Sequence, residues 1–147
     1  MKAKVFFLSL IAFFALSLQA AVVDTIYVHS DAMNKDIQTI VISPGKGKTT
    51  APVIYLLHGH GGNAKTWISV KPNLPEIADQ YGIMFVCPDG KNSWYWDSPV
   101  NPSYRYETFV SKELIDYIDA SYPTIKDRTG RAITGLSMGG HGAMWLS

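Results

Sequence analysis

The sequence predicts an α/β fold with a mainly parallel sheet, and three observations carry that expectation. Short apolar runs at Val53–Leu57 and at residues 83–87 have the unbroken hydrophobicity of strands buried on both faces. Segments of helical period alternate with these runs, the pattern of a sheet flanked by helices. The chain has 147 residues, 47% of them apolar and 17% charged, which suits one globular domain and excludes wholesale disorder.

Residues 1–20 read MKAKVFFLSLIAFFALSLQA, with Lys2 and Lys4 ahead of an apolar run that ends at Leu18. A membrane-crossing helix needs about 20 apolar residues, and this run is shorter. It is expected to be a signal peptide cleaved after Ala20, with an uncleaved anchor as the rival reading. Val22–Ser30 and residues 37–43 are rich in Val, Ile, Thr and Tyr around a polar turn at 31–36, and they read as a strand pair. Pro and Gly mark residues 44–52 as a loop, and the strand Val53–Leu57 follows.

Asn73, Pro75 and Glu76 have the spacing of a helix start with a capping box, and Gly82 is placed to end that helix. The next strand, residues 83–87, closes at Pro88. Tyr106, Phe109, Val110, Leu114, Tyr117 and Ile118 then recur at helical spacing until Pro123 stops the run. A last short strand at 131–134 leads into Gly135, and helix-forming residues continue from there.

Charge and metal chemistry narrow the function. Thirteen Lys/Arg stand against twelve Asp/Glu, a net charge of +1 that becomes −1 without residues 1–20. With no basic run either, no nucleic-acid partner is expected. Cys87 is the single cysteine, so an internal disulfide and a Cys-rich zinc site are excluded. None of the four histidines has a metal-ligand spacing, and neither a metal nor a cofactor is expected.

The segment Gly135-Leu136-Ser137-Met138-Gly139 fits G-x-S-x-G, the nucleophile elbow, directly after a strand and before a helix. The turn is so sharp that side chains two positions either side of the serine would collide, which is why glycines flank it. It presents the Ser137 hydroxyl above the sheet edge and puts the Met138 N–H at a helix N-terminus, where the amide is unpaired and the dipole favours negative charge. Upstream, Leu57-His58-Gly59-His60-Gly61-Gly62 follows a buried strand as an oxyanion loop does, and the His60 N–H is the candidate second donor. His58 reads as a packing residue that shapes this loop. His29 falls in the strand pair, and His141 sits on a helix expected to run away from the serine.

These motifs, with Trp67, residues 86–90 (VCPDG), the helix from Tyr106 and the run ITGLSMGGHGAM at 133–144, resemble the esterase branch of the α/β-hydrolases. That branch includes esterase D (S-formylglutathione hydrolase), the antigen 85 mycolyltransferases, and feruloyl and acetyl xylan esterases. The resemblance implies an α/β-hydrolase fold, Ser137 as catalytic nucleophile, and the His60 and Met138 amides as oxyanion hole. It also implies that Glu107 and Glu113 on the long helix are structural. The family's acid and histidine follow the serine in chain order. Only MGGHGAMWLS follows here, so residues 21–147 are expected to be the N-terminal part of an esterase domain, truncated after the elbow and inactive by itself.

Residues 93–106 (SWYWDSPVNPSYRY) follow a strand end, where open α/β sheets bind ligands. Trp94, Trp96 and Asp97 are candidate substrate contacts, with the aromatic faces suited to a sugar ring or an aryl acid and Arg105 as a further polar group. The alternative is that these rings fill the gap to the neighbouring helix. The expected activity is secreted serine ester hydrolysis, on a small-molecule or polysaccharide ester bearing an acyl or feruloyl group. Acyl transfer of the antigen 85 kind, S-formylglutathione hydrolysis and a non-catalytic binding remnant are the rivals. No stable membrane insertion is expected once the signal is removed.

Overall fold

The computed structural model describes residues 20–45 and 50–147. The signal expected over residues 1–20 therefore lies, except for Ala20, outside the described residues, as does part of the loop expected at 44–52. Five strands, β1 (Val22–Ser30), β2 (Lys35–Ser43), β3 (Val53–Leu57), β4 (Met84–Pro88) and β5 (Arg131–Gly135), form one sheet in the order β1-β2-β4-β3-β5. β3 pairs in parallel with both β4 and β5, whereas β2 is antiparallel to its neighbours β1 and β4. Four strands thus share one direction, and the sheet is mixed only because β2 returns through a tight turn. That turn occupies residues 31–34 and not 31–36: β2 starts at Lys35, where Asp36 pairs with His29 and accepts a 2.7 Å hydrogen bond from its ring.

Alternation in β3 and β4 fills both faces of the sheet. Val53, Tyr55, Leu57, Met84 and Val86 point to one core with Tyr106, Phe109, Val110, Leu114 and Ile118. Leu56, Phe85 and Cys87 point to the other, covered by Ala64, Leu74 and Ala78. This is the arrangement that an unbroken apolar strand requires. Burial pushes the Cys87 thiol up to about 12, so it stays protonated inside the second core.

The helices follow the expected punctuation with three differences. A short helix α1 (Thr66–Val70) that no periodicity announced precedes α2 (Leu74–Tyr81). Asn73 occupies the N-cap of α2 without a side-chain cap bond: its backbone (φ −89, ψ 17) is outside the extended region from which a cap side chain reaches back to the helix N–H groups. Gly82 does end α2, at φ 64, in the left-handed region where glycine carries no Cβ penalty. The long apolar-period helix is not uniform: α3 (Tyr106–Thr108) passes through a π-helical turn (Phe109–Glu113) into α4 (Leu114–Ser121). There the Ser111 hydroxyl donates to the Glu107 carbonyl at 2.7 Å, an alternative bond that widens a helix turn. α5 (Met138–Leu146) completes the order. No helix among the described residues is long and apolar enough to cross a membrane.

Candidate active site

The C-terminal ends of β3, β4 and β5 meet at one edge of the sheet, so the segments after Leu57, Pro88 and Gly135 converge there. Open α/β sheets take their ligands at this edge. The turn after β5 puts Ser137 at φ 50 and ψ −113, a backbone state that costs roughly 1–3 kcal/mol in a non-glycine residue. The surroundings impose it. A Cβ on Gly135 would lie 2.2 Å from the Gly139 carbonyl carbon, and one on Gly139 would lie 2.2 Å from the Leu57 carbonyl oxygen. Both contacts are with backbone, which cannot swing aside. The Leu136 N–H donates to that same Leu57 oxygen at 3.1 Å and ties the turn to the end of β3.

Ser137 is exposed, Met138 is buried, and α5 begins at Met138, so the Met138 amide is the first of the unpaired N–H groups at the helix start. The loop after β3 passes so near that a Cβ on Gly59 would meet the Leu136 oxygen at 3.2 Å and the Ser137 Cβ at 3.5 Å. His60 follows in an exposed turn. Among the described residues no hydrogen bond uses the His60 or Met138 amide, and none reaches the Ser137 hydroxyl.

A buried scaffold stands beneath this loop. His58 is almost wholly buried; its Nδ1 lies 2.7 Å from the Gly59 carbonyl and its Nε2 accepts from the Gly90 N–H at 2.9 Å. These partners assign the proton to Nδ1, in a neutral ring that links the loops after β3 and β4. Asp89 Oδ1 is 3.6 Å from Nε2, and the other carboxylate oxygen takes a 2.7 Å bond from Lys91. Burial alone would raise the Asp89 carboxyl; the Lys91 ammonium and the Lys91 N–H, which donates to Oδ1 at 3.0 Å, outweigh that and hold it well below the usual carboxylate range. The Asn92 side chain accepts from the Gly61 N–H at 2.7 Å, and the Tyr95 hydroxyl donates to the His58 carbonyl at 3.2 Å. Asn92 carries no motif, and its partner lies 31 positions away, so sequence reading missed it.

The aromatic segment divides between the two roles weighed for it. Tyr95 and Tyr106 are fully buried, whereas Trp94 and Trp96 are 48% and 47% exposed. Trp94 and Trp96 line a shallow hollow of about 300 Å³ together with His141 and Trp145 of α5. The structure does not bring Asp97 there. Its two oxygens accept from the Thr108 amide and hydroxyl at 3.1 and 2.6 Å, fixing the α3 turn, and the Arg105 guanidinium is taken by the Ser98 carbonyl. His141 and Trp145 were absent from the substrate contacts expected of the sequence, although their i, i+4 spacing puts them on one helix face. His141 donates its backbone N–H to the Ser137 carbonyl, while its ring faces Trp94 and not the serine hydroxyl. Glu107 and Glu113 hold structure. The former accepts from the Trp145 indole, and the latter from the Ser30 hydroxyl and the Ala32 amide at the β1–β2 turn. A second hollow, about 570 Å³, runs along β5 between Tyr55, Val110 and Leu146, and neither Ser137 nor residues 58–62 line it.

Comparison with known proteins bears on the family and the fold. The family described as "Putative esterase" matches residues 30–147. An acetyl esterase of Caldicellulosiruptor saccharolyticus is 36% identical over 91 residues, 62% of this chain and 34% of that protein. A solved ferulic acid esterase is 30% identical with a TM-score of 0.72, over 84% of this chain and 51% of that one. An S-formylglutathione hydrolase from Agrobacterium tumefaciens superimposes with a TM-score of 0.77 at 24% identity, over 86% of this chain and 53% of that one, a likeness of fold. The chain spans about a third of the acetyl esterase and about half of the two solved proteins.

Proposed function

The chain belongs to the esterase family that matches it over residues 30–147, and from that premise we propose that it is the nucleophile-bearing part of an exported serine ester hydrolase. The observation that carries the reading is the Ser137 backbone, at φ 50 and ψ −113, wedged between glycines that leave no room for a side chain. A hydroxyl held this way attacks the ester carbonyl carbon, and the oxygen that becomes negative takes the Met138 and His60 N–H groups. Collapse of that intermediate expels the alcohol and leaves the acyl group on Ser137, from which water releases it as the acid. A general base takes the serine proton and passes it to the departing alcohol. Residues 1–147 alone lack that base and are expected to retain only the residual catalysis of oxyanion hole and binding, roughly 10³–10⁴ over water.

Export rests on the lysines and apolar run of residues 1–20. An acyl or feruloyl ester of a polysaccharide is the substrate class supported by the likeness to an acetyl esterase and a ferulic acid esterase. The test is Ser137→Ala in the whole protein, with p-nitrophenyl acetate as substrate. Hydrolysis is expected to fall at least about 10⁴-fold with the circular dichroism unchanged. Turnover retained in that variant overturns the reading. Product analysis with an added sugar acceptor separates hydrolysis, which yields free acid, from acyl transfer, which yields a new ester.

A further inference from the structure

We propose that Asp79 of α2 is the acceptor for the mature N-terminus: cleavage between Ala20 and Ala21 leaves an α-ammonium on the nitrogen that this carboxylate already holds, so removal of the signal adds an ion pair to the fold. The inference rests on the export reading of residues 1–20 and needs nothing from the ester chemistry.

The first support is where the carboxylate stands. The β1–β2 ladder ends at the pair Val22 and Ser43, and both chain segments leave the sheet there. Asp79 takes an amide from each: the Ala21 N–H donates to Oδ2 at 2.8 Å and the Gly45 N–H to Oδ1 at 2.7 Å. These bonds join residues 58 and 34 positions apart, so folding alone aligns them. Asp79 and Ala21 are half-buried and Gly45 is buried, which shelters the carboxylate in part from screening by solvent.

The second support is charge. Asp79 lies in the last turn of α2, where the negative end of the helix dipole disfavours a carboxylate, and that turn holds no basic residue. Two neutral amides give Asp79 hydrogen bonds but no opposite charge. A cation on the Ala21 nitrogen, 2.8 Å away, supplies one and turns a neutral hydrogen bond into a charge-assisted one.

The third support is the boundary between fold and leader. Ala21 packs against the second core, whereas Ala20 is exposed. The nitrogen is thus held by the packing of its own residue and keeps its place when Ala20 is gone. Hydrolysis consumes one water: the Ala20 carbonyl carbon gains an oxygen and leaves as a carboxylate, while the Ala21 nitrogen keeps the electron pair of the broken C–N bond and takes up protons to become an ammonium. Cleavage one residue later would remove the atom that Asp79 holds.

The experiment expresses the whole protein with residues 1–20 and reads the product by N-terminal sequencing and intact mass. A chain that begins at Ala21 is expected. One that begins at Val22 or beyond, or that keeps residues 1–20, overturns the proposal, and only the uncut chain also overturns the export reading. Unfolding in urea at about pH 6, where an α-amino group is protonated, is then measured for the processed chain and for a chain with Gly-Ser-Gly-Ser ahead of Ala21, each with and without Asp79→Asn. The extension keeps an amide at Ala21 and moves the charge away, so the hydrogen bonds lost to the substitution cancel between the two backgrounds. Asp79→Asn is expected to raise the unfolding equilibrium constant about fivefold more in the processed chain than in the extended one. Equal effects in the two backgrounds overturn the ion pair and leave the export reading in place. With Asp79 intact, the processed chain is expected to have the higher urea midpoint, and equal midpoints overturn the proposal even where the variant fails to fold.

Discussion

Residues 58–62 and residues 93–97 both flank the start of α5, yet they are built in opposite ways. The first segment is held through backbone and buried groups: His58 inside the core, Gly61 tied to Asn92, and Gly59 pressed against the Leu136 carbonyl. The second is anchored by Tyr95 and Asp97 but leaves Trp94 and Trp96 half exposed. The difference matches the roles expected of them, oxyanion donors in the first and substrate contacts in the second. Donors aimed at a developing negative charge are effective only if they need no rearrangement when it forms, so they are fixed in advance. Surfaces that bind by burying apolar area gain from what they leave exposed, and a rigid indole with few rotamers loses little entropy on contact.

That contrast predicts steep costs on one side and shallow ones on the other. The largest effect is expected from Gly139→Ala, which drives a Cβ to 2.2 Å from the Leu57 oxygen at the junction of elbow and oxyanion loop. Overpacking against rigid backbone is expected to lower the unfolding free energy by about 3 kcal/mol or more and to abolish turnover. An unchanged midpoint in urea would mean that the junction is not rigid.

A smaller effect is expected on acidification. The Asp89 carboxyl is held below its ordinary value of 3.8 in the folded chain, so the unfolded chain binds the proton more readily. Its contribution to stability is therefore complete above about pH 5, begins to fall as the unfolded carboxyl titrates near 3.9, and is lost as pH drops through the lower folded value. Unfolding free energies measured between pH 6 and 3 should decline with that sign, and Asp89→Asn should flatten the slope. An equal slope in the variant would remove Asp89 from the scaffold beneath the oxyanion loop.

The smallest effect is expected from Trp96→Ala. With its ring half in water, its loss should change stability by within about 0.5 kcal/mol. A drop of several kcal/mol in a urea titration would show that this indole holds the fold and would erase the distinction between the two segments.

Much of the chain was legible beforehand because its determinants are local. Apolar run length located β3 and β4 to within a residue, since a strand buried on two faces leaves an unbroken hydrophobic signature, and β-branched content between turn residues located the more exposed β1 and β5 equally well. Gly135 and Gly139 announced the strained turn at Ser137, because steric exclusion over four residues acts whatever the rest of the chain does. The π-helical turn, the absent side-chain cap at Asn73 and helix α1 were not legible, as each depends on small competitions between backbone bonds that periodicity does not register.

The sequence by itself determined the order of elements, the nucleophile turn and the glycine loop that approaches it. Only the tertiary structure decided which aromatic rings of residues 93–106 face solvent, that Asp97 serves Thr108, and that His58, Asn92 and Tyr95 hold the oxyanion loop. It also decided that His141 and Trp145 share a hollow with Trp94, partners 47 positions apart in the case of His141. The physical reason is range. A backbone turn is set by sterics among adjacent residues, whereas the direction a polar or aromatic side chain takes is set by whichever distant surface folding brings against it.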